Sequence, residues 1–188
     1  MTKLESIQAA ALQLFTERGF DATPTAQIAK TAGVATGTLF HHFKSKDDLI
    51  DKLYLVVKAS MMERIRRGVN DEASVKERLR QVWYNSVGWG LDFPEQYSFF
   101  RQYAGSRYIS QASREAGETY REFLFELLQE GVKSGALKSA DVELLYTSGS
   151  GQVMEVIALF AGNEKMRTDK QQWESAWKMF WDALAQHT

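Results

Sequence analysis

Cysteine is missing from this 188-residue chain. Its absence excludes a disulfide scaffold, a thiolate zinc site, an iron–sulfur cluster and a cysteine nucleophile. Proline occurs only twice, and with 13 glycines the chain is neither collagen-like nor proline-rich. No run approaches the ~20 apolar residues that span a bilayer. The longest candidate, residues 153–161, is interrupted by Glu155. The opening residues, Met1-Thr-Lys-Leu-Glu-Ser-Ile-Gln, hold no hydrophobic signal core, so a cytoplasmic protein without a membrane partner is expected. An excess of one charge is lacking too: the net charge is -1, and no chain-wide basic field draws in nucleic acid. What remains is 44% hydrophobic and 25% charged, an ordinary globular composition long enough to enclose a core.

Helical spacing dominates. Leu4, Ile7, Ala11, Leu14 and Phe15 recur at three- and four-residue intervals and form one apolar stripe. Gly19 stops that helix behind Arg18. Thr23-Pro24 reads as an N-cap followed by proline at the first helical position. A short helix then runs to about Ala32, and another covers Thr36 to Phe43. Ser45 can cap a long helix carrying Leu49, Leu53, Val56, Val57 and Met61, with Asp47 and Asp48 at its positive start. Further helices carry Val75 to Ser86, Tyr97 to Ala104, and the stripe from Tyr120 to Val132. Asp141 can cap a helix reaching Phe160, and a last one holds Trp173, Trp177, Phe180, Trp181 and Leu184. No convincing alternating strand and no repeat is present. The expected fold is all-α, with about nine helices.

Two short helices separated by Gly33-Val34-Ala35, behind a stabilising first helix, form a helix-turn-helix. Small Ala29 allows a close crossing, and Gly33 supplies the dihedral freedom of a tight turn. Val34 and Leu39 plug the angle, while Ile28 and Phe43 face inward. The later helix begins with small, polar Thr36, Gly37 and Thr38, which lets a backbone approach phosphates and base edges. Residues 1–46 carry five basic and three acidic side chains, a modest bias of the expected sign.

Gly19-Phe20-Asp21-Ala22-Thr23, Ile28-Ala29-Lys30-Thr31-Ala32-Gly33-Val34 and Gly37-Thr38-Leu39-Phe40-His41-His42-Phe43-Lys44-Ser45-Lys46 resemble the DNA-binding domain of the TetR/AcrR family of transcriptional regulators. The resemblance covers roughly residues 5–50. It implies a ligand-responsive homodimeric repressor, with residues 1–46 as DNA-binding domain and 47–188 as helical effector-binding and dimerisation domain. Its partners would be palindromic double-stranded operator DNA, a small apolar or aromatic effector, and a second copy. On this resemblance Thr38 and His41 face the groove, Lys46 binds phosphate at a helix start, and Lys44 reaches the backbone. Thr36 and Gly37 lie beside them, and Thr25 and Ala26 of the first short helix offer weak base readout. Two departures stand out. Ala35 replaces the family's usual serine, so the recognition helix lacks a side-chain cap unless Thr36 substitutes. Phe40 replaces the usual tyrosine and has no hydroxyl for a phosphate, leaving apolar contact such as a thymine methyl.

Beyond the motif, aromatics crowd residues 83–125. Trp83, Trp89, Phe100, Tyr103, Tyr120 and Phe123 are the candidate walls of an effector site, although a stripe at helical spacing also serves as plain core. Gln152 and Glu155 sit in an apolar helix. Glu155 either pairs with an arginine or faces the effector. Gly149 and Gly151 permit close backbone approach, and Trp173, Trp177 and Trp181 repeat every fourth residue. These five are the candidate dimer interface, with an intramolecular core as the competing reading.

An enzyme needs a convergent acid, base or nucleophile set. The three histidines are His41 and His42, adjacent on a helix, and His187 near the end. Neighbouring residues diverge around a helix, so no metal is expected there, and neither catalytic residues nor a cofactor are assigned. A helical ligand-binding or scaffold protein without DNA function is the alternative that Ala35 and Phe40 keep open.

Overall fold

A computed structural model describes residues 1–104, 106–108 and 110–186, with the side chains of Ala104 and Tyr120 outside the description. Ten helices form its described part: α1 (Lys3–Arg18), α2 (Thr25–Thr31), α3 (Thr36–His42), α4 (Lys46–Arg66), α5 (Val75–Asp92), α6 (Pro94–Ala104), α7 (Gln111–Lys133), α8 (Val142–Ala161), α9 (Glu164–Thr168) and α10 (Lys170–Leu184). Short α9 is the element that periodicity misses. Asn163 caps it, and it precedes Asp169, the cap of α10. One isolated β-bridge joins Leu137 to Ala185. Among the described residues no helix is long and apolar enough to cross a membrane.

Two compact units divide the chain: residues 1–60 with 93–118, and 61–92 with 119–188. The chain passes between them inside α4, between α5 and α6, and inside α7. The division does not follow a break at residue 46, because α6 is part of the first unit's core. Phe15 and Phe20 of the N-terminal segment meet Phe99 of α6, with ring centroids 6.3 and 5.6 Å apart, and Phe20 also meets Tyr108 at 5.4 Å. Burying rings of this size stabilises by roughly 1.5–3 kcal/mol each, enough to bind a distant helix to the first three.

The second unit is built on α5, α7, α8 and α10. Gly90 of α5 lies so close to α8 that an added Cβ would come within 2.6 Å of Ile157. Trp83 is fully buried beside Trp173, Trp177 and Phe180 of α10. Asn85 donates to the carbonyls of Ile65 and Arg67, closing the C-terminal end of α4. The ion pair Arg78–Glu130 ties α5 to α7. Lys138 and Gln186 donate backbone N–H groups to Leu184 and Ala136, which stitches the loop before α8 to the end of α10.

Candidate nucleic-acid interface

The local chemistry of α1–α3 sets the reading head. Gly19 ends α1 at φ 78°, and its N–H returns to Phe15. Thr23 does not cap α2 as its sequence position suggests; Pro24 holds the N-cap position and no side chain caps that helix. Thr23 is buried instead, donating its hydroxyl to the carbonyls of Leu14 and Gly19 at 3.2 and 2.7 Å, so it satisfies the end of α1. Gly33 takes φ 68°, and Val34 donates back to Ala29 at 3.0 Å. That left-handed residue is what turns α3 across α2. Ile28, Ala29, Leu39 and Phe43 are buried with Phe15, and Val34 is half-buried.

The opposite side of α3 is bare. Thr36, Gly37, Phe40 and His41 are exposed, and Thr38 is half-buried. Lys44 is exposed just beyond the helix, and Lys46, half-buried, opens α4. On α2, Ala26 is exposed and Thr25 half-buried. The fold therefore gathers Thr36, Gly37, Phe40 and His41 onto one surface at helical i, i+3 and i+4 spacing. Ala35 is the N-cap of α3 and contributes no side-chain bond; Thr36 does not substitute for the missing serine. Among the described residues no three His, Asp or Glu side chains gather as a metal site.

Lys52, which the motif reading overlooked, and Asp48, expected there only as an acidic residue at a helix start, fasten this surface to α4. Lys52 reaches the carbonyl of His42, the last residue of α3, at 3.4 Å, and pairs with Asp48 at 2.9 Å. It also lies over the Phe43 ring, 5.5 Å from the centroid. A cation at the final carbonyls of a helix satisfies its C-terminal end. Asp48 accepts the Lys44 N–H at 2.8 Å, while its own N–H donates to Ser45 Oγ, the expected cap. Burial pushes the Asp48 carboxyl upward, but the bonds from Lys52 and Lys44 prevail and hold it below its ordinary value. The i, i+4 spacing of Asp48 and Lys52 was the available signal.

Asp51, one turn on, is a second anchor. Its carboxylate accepts hydrogen bonds from Tyr103 of α6 and Ser113 of α7. Burial raises its pKa, yet bonds from Ser110, Ser113 and Tyr103 outweigh that and lower it. The Tyr103 phenol is pushed far up by burial and by the adjacent carboxylate. Arg107 and Tyr108 both donate to Asp21, at 2.7 and 2.8 Å, next to Phe20.

The effector candidates fall in both units. In the first, Phe100 and Tyr103 stack on Tyr54, with centroids 5.8 and 4.1 Å away. Lys58, only 4% exposed, lies over the rings of Tyr54 and Phe100, and no motif or spacing in the sequence singles it out. In the second unit, Trp83 is committed to the α5–α10 core, Trp89 is fully buried, and Phe123 is half-buried beneath the Arg66 guanidinium. Gln152 is half-buried, whereas Glu155 is exposed. The Tyr120 side chain lies outside the described residues, as does His187.

The dimer candidates divide likewise. Gly149 is buried, and a Cβ there would meet Phe180 at 3.2 Å. Trp173, half-buried, and Trp177, 5% exposed, pack on Trp83 inside the second unit. Trp181 is half-buried against Trp177 and Lys76. Gly151 is exposed with open space above it, on an α8 stripe with Leu144, Glu155 and Leu159. Met179 is the large exposed apolar residue of α10.

Comparison with known proteins agrees with this geometry. Residues 7–53 match the family model of bacterial regulatory proteins, tetR family. A tetR family transcription regulator from Shewanella sp. PV-4, known from its crystal structure, superposes with a TM-score of 0.92 at 34% identity, covering 98% of this chain and 99% of that one. The fatty acid metabolism regulator protein of Bacillus subtilis (strain 168) is 28% identical over 162 residues, 83% of this chain and 82% of that protein. The transcriptional regulator FadR from Bacillus subtilis, crystallised in complex with stearoyl-CoA, shares the fold at a TM-score of 0.74 and 21% identity, over 94% of this chain and 96% of that one. With a buried helix-turn-helix scaffold, a bare recognition helix and a full-length relative of this similarity, the chain belongs to the TetR family of DNA-binding transcriptional regulators, which are not enzymes.

Proposed function

We propose that the protein is a homodimeric repressor that leaves its operator when a ligand with an apolar or aromatic body binds. The observation that carries this reading is the placement of α2 and α3 in one folded unit with α6 and the first third of α7, while α4 and α7 continue into the second unit. A ligand that shifts either helix then moves the recognition surface. Asp51, through its bonds to Tyr103 and Ser113, is one point at which α6 and α7 hold α4.

Two arguments support a second copy as partner. Two recognition helices placed about 34 Å apart, or a multiple of that, read a palindrome. Leu144, Leu159 and Met179 are 60%, 51% and 66% exposed on α8 and α10, apolar surface that a like surface would cover. This face, with Gly151 at its middle, replaces the tryptophan row as the proposed interface.

Acyl thioesters are the first effector class to test. A regulator of the same fold was crystallised with stearoyl-CoA. The half-buried rings of Tyr54 and Phe100, stacked on each other, offer apolar surface for an acyl chain.

Fluorescence anisotropy on duplexes from the adjacent promoter tests the reading. Thr38→Ala with Lys46→Ala should weaken binding, and a long-chain acyl-CoA should weaken it roughly 5- to 150-fold, with DNA weakening acyl-CoA binding by the same factor. Unchanged DNA affinity in the double variant rejects the assigned surface. Unchanged affinity at saturating acyl-CoA rejects that effector class.

A further inference from the structure

We infer that Phe40 reads thymine: its ring packs on the C5 methyl group of one thymine in each half-site, and Gly37 clears the space that brings α3 close enough. This rests on the DNA-binding reading of α3 and goes beyond it to a base.

Phe40 is 47% exposed on a helix whose other large apolar residue, Leu39, is completely buried. Its neighbours on the bare side, Thr36 and His41, are polar. The fold leaves about half of this ring uncovered, on the side of α3 that faces away from the core. Without a hydroxyl it can neither donate to phosphate nor read a base edge by hydrogen bonding. In the major groove one base alone presents a methyl group, and apolar contact is how that group is read.

Gly37 is an independent observation. Glycine is a poorer helix former than alanine, and Gly37 stands at the second residue of α3. Nothing in the protein requires one here. Its backbone is ordinary right-handed helix, and an added Cβ would find nothing within 4 Å. A glycine that neither conformation nor internal packing demands marks a place where something outside approaches the backbone closely. Gly37 and Phe40 are three residues apart and share one face of α3. The missing side chain therefore sits beside the protruding ring.

Duplexes selected from a random pool by the wild-type protein provide the test. Each thymine of the selected site is replaced by uracil, which removes the methyl and keeps every hydrogen-bonding group. One position per half-site should weaken binding roughly fourfold, and both together roughly 15-fold, the worth of one buried methyl each. Phe40→Ala should bind thymine and uracil duplexes alike, with unchanged helicity. Gly37→Ala should melt no lower than wild type yet bind the selected site at least roughly tenfold more weakly. Tight binding with a flat uracil scan overturns the thymine assignment and leaves the DNA-binding reading standing, as does an equal uracil penalty in Phe40→Ala. Gly37→Ala that binds normally overturns the close-approach argument. Failure to enrich any duplex rejects the DNA-binding reading and this inference with it.

Discussion

The Tyr103 hydroxyl donates to the Asp51 carboxylate, joining α6 to α4 inside the unit that carries the recognition helix. Tyr103 is buried, so Tyr103→Phe deletes a charge-assisted bond without changing the packed ring. Urea unfolding should show a loss of about 1.5–3 kcal/mol. A loss below ~0.5 kcal/mol would remove Tyr103 from the list of anchors.

Acid should loosen the same unit. Asp48 and Asp51 both have folded-state pKa values lowered from 3.8. A lowered carboxyl binds its proton more weakly when folded than when unfolded. Its contribution to stability is complete above the ordinary value and disappears as pH falls through 3.8 toward the folded-state value. The urea midpoint of wild type should therefore drop between about pH 5 and pH 2. The drop should be shallower in Asp51→Asn, measured by circular dichroism on both proteins.

Close helix packing makes its own demand in the second unit. Gly90→Ala places a Cβ within 2.6 Å of Ile157 Cγ2, with two more Ile157 atoms inside about 3.0 Å. Ile157 is buried and branched, so the strain should cost about 1–3 kcal/mol. Gly151→Ala meets nothing within 4 Å inside its own subunit and escapes that strain, so it should melt above Gly90→Ala. Thermal denaturation of the two variants side by side checks the contrast.

Positioning of α3 depends on Lys52. Replacing it by Met keeps the stem over Phe43 and removes the ammonium from the His42 carbonyl and from Asp48. An exposed pair of this kind is worth at most ~1 kcal/mol, so operator affinity should fall up to about fivefold with little change in melting temperature. Anisotropy titrations settle the affinity. An unaltered dissociation constant would mean that the Phe43 and Leu39 packing alone sets the helix.

The bounds of α1 and α3, the turn at Gly33 and the cap at Ser45 were readable because each rests on local chemistry: a stripe, a glycine, a short hydroxyl side chain. Thr23 misled because its position before proline is that of a cap, while the fold uses its hydroxyl on carbonyls earlier in the chain. Membership of α6 in the first unit was hidden, since Phe15 and Phe99 meet only after a long excursion through α4 and α5. The tryptophan row of α10 announced an apolar face but not its partner; Trp83, from α5, takes Trp173 and Trp177. Glu155 looked like a charge stranded in an apolar helix, whereas it lies on the exposed stripe of α8. In sum, motif and helix content were local, and the allocation of faces was not.

Stoichiometry on DNA tests the central claim most directly. Sedimentation velocity is run on the protein with a selected duplex of two half-sites, then with one half-site scrambled. A dimeric reader places two chains on the intact duplex and loses most of its affinity on the scrambled one. Leu159→Arg with Met179→Arg should abolish both the two-chain complex and the preference. One chain per duplex, bound equally well with either duplex, would contradict the account.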